Sequence, residues 1–179
     1  MLHLEAPAGR FRFLEQGAEF ALRTGDRVLE ARAVLYRSVT ARFAGDIDDA
    51  VGWAERAELV SRQAGLDEYV AAVHAQRGWA ALRRGEPVRA RQELEAALEG
   101  WSRLLYLFPP RFLGQLPLMA LAVQEERFAD AAAIAAAMLP PPLAQLREPV
   151  WSALHDAADG VDPERLRRAV ALAQQAGYL

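Results

Sequence analysis

Apolar and polar positions alternate with a helical rhythm over most of this chain. Ala50, Ala54 and Ala57 recur three and four residues apart, as do Ala90, Leu94 and Ala97, with charged residues between them. That spacing places each set on one stripe of an α-helix. Strong helix formers fill the long segments, and alternating β-branched runs are missing. Turn signals fall about twenty residues apart, at Thr24-Gly25-Asp26, Gly45-Asp46, Gly65-Leu66-Asp67 and Gly85-Glu86-Pro87. Glycine suits the left-handed residue that ends a helix, an acidic residue favours the next N-terminus, and Pro87 fits a first turn. The pattern predicts helices at about 10–23, 27–44, 47–64, 67–84 and 87–106. After Pro109-Pro110 another helix runs to about 125, with Pro117 as a kink or as its true start. The run Arg127-Phe128-Ala129-Asp130-Ala131 opens an alanine-rich helix to Leu139. Pro140-Pro141-Pro142 forces a turn, a helix interrupted by Pro149 reaches about Asp159, and Asp162-Pro163 opens a last helix that Gly177 closes.

The punctuation repeats at a fixed offset of forty. Gly25 pairs with Gly65, Ala31 with Ala71, Ala41 with Ala81, Gly45 with Gly85, Ala50 with Ala90 and Ala57 with Ala97. Such a period predicts an all-α, right-handed α-solenoid of helical hairpins, in which each unit buries its apolar face against its neighbours. About three and a half repeats fit one domain over 1–179. They comprise a half repeat at 10–24, repeats at about 25–64, 65–104 and 110–142, and a C-terminal helical unit at 143–179. Residues 10–24 align with 50–64, the second helix of a hairpin: Leu14 meets Ala54 and Gly17 meets Ala57. The chain thus starts halfway through a repeat and reads as the tail of a longer protein; alternatively, residues 2–10 or a second copy cover the open end. Ala50, Ala90 and Ala131 are expected near the start of each second helix, facing the first. Gly78 is the matching close-approach site on the first helix.

Composition narrows the class. Of 179 residues, 53% are hydrophobic and 25% charged, which fits a folded domain with a sizeable core and not a disordered one. No apolar run approaches the roughly 20 residues that cross a bilayer, and no secretory signal opens the chain. Cytoplasmic localisation is the plain expectation. Cysteine is absent, so disulfides and thiolate metal sites are excluded. All 21 basic residues are arginine, and lysine and asparagine are missing, as a GC-rich genome would dictate. The net charge of −3 with mixed signs carries no footprint for direct nucleic-acid binding.

Gly78, Gly85, Ala90, Leu94 and Ala97 resemble the tetratricopeptide (TPR) repeat at its small and large consensus positions. The period here exceeds the usual length of about 34, and His74 stands at the consensus tryptophan. The strings TGDRVLEARAVL, AGDIDDAVGWAE and RGEPVRARQELEAAL resemble the C-terminal repeat region of large bacterial signalling proteins. Those proteins join a class III nucleotide cyclase or a DNA-binding domain to a signal-transduction ATPase. FADAAAIAAAMLPPPLAQL and the closing AVALAQQAGYL are similar to the end of the cyclase–ATPase type. The resemblance implies a regulatory repeat region, with the cyclase and ATPase activities lying in upstream domains.

No catalytic signature is legible. His3, His74 and His155 are far apart, without a second ligand at metal spacing. Gly45-Asp46-Ile47-Asp48-Asp49 resembles part of a calcium loop but lacks its glycine and closing glutamate, so helix capping is expected. No phosphate-binding glycine loop and no Gly-x-Ser-x-Gly occur. A non-enzymatic protein without cofactor or metal is expected.

What remains is the inner face of the first helices. Arg32, Leu35, Val39, Arg42 and Phe43 are expected there on the first unit. Ala72, Ala75, Trp79, Leu82 and Arg83 follow on the second, and Leu113, Leu116, Ala120 and Val123 on the third. An apolar groove edged by arginines suits a helix or peptide carrying an acidic group, with Trp79 as the anchor. The same face could instead pack against the chain's own C-terminal helices or form a dimer seam. Three functions stay open: binding a protein or peptide, including attached ATPase or effector domains; self-association as a homodimer; and sensing a small ligand.

Overall fold

A computed structural model describes residues 16, 17, 20, 21, 23–139 and 146–179. The regular structure among the described residues is all helical, without a strand. The expected helix at 10–23 and half repeat at 10–24 fall only partly within them, and Leu14, His3 and Pro140-Pro141-Pro142 lie outside.

Eight α-helices lie wholly within the described residues: α1 (Arg27–Ala44), α2 (Ile47–Ala64), α3 (Asp67–Arg83), α4 (Pro87–Ser102), α5 (Phe112–Gln124), α6 (Phe128–Met138), α7 (Glu148–Ala158) and α8 (Pro163–Gln175). The forty-residue offset is visible in their starts, since α1 and α3, and α2 and α4, begin forty residues apart. The boundaries have clear local causes. Gly25, Gly45, Gly65 and Gly85 all adopt left-handed φ between 67° and 78°, which costs an L side chain about 1–2 kcal/mol. Asp26 and Asp46 accept from the backbone N–H groups of Leu29 and Asp49, capping α1 and α2. In the third hairpin Glu126 takes the left-handed position itself, with φ 58°.

Three expectations need correction. Helix α4 ends at Ser102, not near 106, and Arg103–Phe108 form a connection whose Leu105, Tyr106 and Leu107 are exposed. Pro117 does not start its helix: α5 begins at Phe112 and runs through it. Pro149 does not interrupt a helix either; it sits in the first turn of α7, where its missing N–H costs nothing.

Consecutive helices pack as pairs, α1 on α2, α3 on α4, α5 on α6 and α7 on α8. The first helix of each of the first three pairs also contacts the next, α1 to α3 and α3 to α5, and α8 packs on α5. Small residues set the approach. Ala50, Ala90 and Ala131 have no exposed surface. A Cβ on Gly78 would lie 2.6 Å from Leu94 Cγ and 3.1 Å from the Leu94 backbone nitrogen, so only glycine fits. At the equivalent place in the first pair, the Ser38 hydroxyl donates to the Ala50 carbonyl at 2.6 Å. No helix among the described residues is long and apolar enough to cross a membrane.

Candidate binding groove on the inner helices

The face shared by α1, α3 and α5 gathers most of the residues that the sequence placed together. Leu35, Val39, Ala72, Ala75, Leu113, Leu116, Ala120 and Val123 are buried; Phe43 and Leu82 are half-buried; Arg32 and Arg83 are exposed. Arg32 donates from Nε to the Tyr69 hydroxyl, and this hydrogen bond raises its already high pKa further. Trp79, expected as a surface anchor, has no exposed surface at all. It packs with Ala41, Ala50 and Ala80 between α1, α2 and α3, with the guanidinium of Arg42 5.3 Å and that of Arg83 5.9 Å from its ring centroid.

Arg42 is the other surprise. It is 1% exposed, and no carboxylate is among its hydrogen-bond partners. Burial pushes its guanidinium down to about 9, which still leaves it a cation at neutral pH. A buried cation needs hydrogen-bond acceptors around it. Here Nη1 donates to the Leu113 carbonyl at 2.9 Å and, at 3.4 Å, to Gln76 Oε1, while Nη2 donates to the Tyr178 carbonyl at 2.7 Å. The Leu113 oxygen is available for a local reason. In an uninterrupted helix it would accept from the N–H of residue 117, and Pro117 has none.

The Tyr178 contact means that the groove is filled by the chain itself. After α8, Gly177 turns the backbone with φ 81°, and Tyr178 and Leu179 fold back with 6% and 8% of their surfaces exposed. The Tyr178 ring stands edge-on to Phe43 at 5.5 Å and to Phe112 at 5.8 Å. Its hydroxyl accepts from the Arg147 backbone N–H at 3.1 Å, and Arg83 Nη1 donates to a Leu179 backbone oxygen at 2.9 Å. Phe43 and Phe112 pack against both major hydrophobic clusters, one built on α1 to α4 with Phe108 and Leu113 and one on α5 to α8, so Tyr178 sits where the two meet.

Residue-by-residue reading missed Gln76, Phe112, Tyr178 and Leu179 as parts of this site. Two signals pointed to them: an arginine at the inner end of an apolar stripe (Leu35, Val39, Arg42), and an apolar Tyr-Leu pair directly after a helix-ending glycine. Arg42 Nε, Gln76 Nε2 and Trp79 Nε1 are buried and find no acceptor in this structure.

Elsewhere the polar groups have structural work. Asp46 caps α2 and Asp49 accepts from Trp53 Nε1 at 2.9 Å, so the acidic run at 45–49 is capping chemistry. His74 pairs with Glu93 at 2.7 Å between α3 and α4, and His155 is exposed. Among the described residues no group of three or more histidines and carboxylates is arranged to hold a metal ion. Comparison of the chain with protein-family models, with curated proteins and with solved structures gave no match.

Proposed function

We propose that this chain is a non-catalytic, TPR-like α-solenoid module that binds a protein or peptide segment along the face of α1, α3 and α5. Its place would be the C-terminal sensor or scaffold region of a cytoplasmic bacterial signalling protein, with attached ATPase or effector domains among its partners. The observation that carries the reading is the grip of Arg42 and Arg83 on backbone oxygens of Tyr178 and Leu179. Guanidinium groups directed at main-chain oxygens, beside aromatic walls, are the chemistry of polypeptide recognition, and this face exercises it on the residues that follow α8. Arg32 and Arg83 supply an exposed basic rim that would draw acidic partners.

The test is an array of short acidic and neutral peptides, probed with the wild type and with Arg32→Glu/Arg83→Glu. Both positions are exposed, and circular dichroism checks that the variant keeps its helical fold. Retention of a subset of acidic peptides that the variant loses supports the reading. Retention of none, or retention indifferent to the variant, contradicts it.

Self-association is the second reading, favoured by Val28 and Tyr36 on α1 and Leu59 on α2, which are large, apolar and exposed. Light scattering after size exclusion decides it: a monomer at high concentration removes the homodimer.

A further inference from the structure

We propose that α1 carries a stacking face for one further helix of the same repeat kind, which lies on α1 as α1 itself lies on α3. The inference rests on the repeat architecture proposed above and names what packs against its uncovered side.

Leu29, Arg32, Tyr36 and Thr40 follow one another at intervals of three and four, so they share one face of α1. The forty-residue offset places Tyr69, Ala72, Gln76 and Ala80 on the same face of α3. Those four are all buried. On α1, by contrast, Arg32 and Tyr36 are exposed and Leu29 and Thr40 half-buried. Tyr36 shows 43% of its surface where Gln76 shows none. What covers the stripe on α3 is the first hairpin. Both α1 and α2 pack on α3, Arg32 donates to the Tyr69 hydroxyl at 3.1 Å, and Arg42 donates to Gln76 Oε1 at 3.4 Å.

The same offset says which helix would cover α1. The place of a preceding second helix is taken at its described end, since Ala21, forty residues before the buried Ser61, has no exposed surface. The uncovered stripe then belongs to a first helix. Its composition is not that of a solvent-facing cap, which turns a polar surface outwards. Leu29 and Tyr36 lie on the stripe, and exposed Val28 borders it where α3 carries Glu68. The matching surface is the one that α1 offers to α3, where Leu35 and Val39 join Ala72 and Ala75 in one core cluster. A helix with an apolar stripe of that kind fits.

Because the chain has no cysteine, single thiols can read this face. Tyr36→Cys probes the uncovered stripe and Ala72→Cys its covered counterpart, each by its rate of labelling with N-ethylmaleimide. In the full chain Tyr36→Cys is expected to react about ten-fold faster than Ala72→Cys. The further helix is then supplied on the same chain, as a copy of residues 25–49 inserted between Gly9 and Arg10, which the offset aligns with Ala50. Labelling of Tyr36→Cys in the original α1 should slow about ten-fold, with a gain of helix in circular dichroism. Leu35→Glu/Val39→Glu in the inserted copy should restore the fast rate. Fast labelling with the unaltered insertion overturns the proposal, as does an insertion that adds no helix. Without the insertion, a Tyr36→Cys thiol as slow as Ala72→Cys at high dilution would mean that the chain covers its own stripe. Slowing that sets in as protein concentration rises would assign the face to a second copy. Either result overturns the assignment to a further repeat helix. Arg83-dependent peptide retention on the array would survive each of these failures, and a protected thiol would survive an array that retains nothing.

Discussion

Arg42 donates to the carbonyl of Leu113, an oxygen that Pro117 leaves without its helical partner, across 71 residues of sequence. A proline inside a helix ordinarily costs about 3 kcal/mol, through a lost hydrogen bond and a steric clash. Here the lost bond is replaced by a buried cation, and the same guanidinium also fixes Tyr178. One side chain thereby ties α1, α5 and the C-terminal segment together.

The link between Arg42 and Pro117 is open to a double-mutant cycle. Arg42→Met strands the Leu113 and Tyr178 carbonyls and is expected to cost about 3 kcal/mol in urea unfolding. Pro117→Ala restores an N–H to Leu113, so in that background the cost should fall by about 1 kcal/mol. Strict additivity would show that the arginine does not compensate for the proline.

The glycines of the helices divide into those that need to be glycine and those that do not. Gly78→Ala drives a methyl into Leu94, including its backbone, and is expected to destabilise by about 2 kcal/mol. Gly52 lies within α2, and a methyl added there would meet nothing within 4 Å, so Gly52→Ala should stabilise by about 0.5–1 kcal/mol. Thermal unfolding of the pair reads both signs at once. A stable Gly78→Ala would mean that α3 and α4 are farther apart than described.

Glu58 predicts a pH dependence. Burial alone would raise its pKa, but hydrogen bonds from Arg77 on α3 and Arg62 on α2 outweigh it and hold the carboxylate below its ordinary range. A depressed carboxylate pKa adds stability that is complete above the unfolded value and is lost as pH falls through the folded one. Glu58→Gln should therefore cost about 1 kcal/mol at neutral pH, and the gap to wild type should close in acid below the ordinary carboxylate range. A gap that stays constant from neutral pH into acid would show that the charge contributes nothing.

Much of the helical scaffold was legible because its causes are local. Gly25, Gly45, Gly65 and Gly85 end helices through their own φ, and Asp26, Asp46 and Asp162 cap helices through neighbouring N–H groups, so α1 to α3 fall where the pattern put them. The prolines were harder. Whether Pro117 or Pro149 breaks a helix depends on where the helix starts and on who takes the freed carbonyl, and the second answer lies 71 residues away in Arg42. Of the residues expected on the inner face, Leu35, Val39, Ala72 and Ala75 share one core cluster and Leu116, Ala120 and Val123 another, and their exposure was not readable. What surrounds Arg42 includes a segment 136 residues away, and no period connects the two.

The filled groove is tested most directly by the environment of the Tyr178 ring in solution. Nuclear Overhauser contacts from its ring protons to those of both Phe43 and Phe112 are expected, with chemical shifts displaced from those of an unstructured tyrosine. A Tyr178 with sharp, unstructured shifts and no contact to either phenylalanine would contradict the filled groove, and with it the role assigned to Arg42.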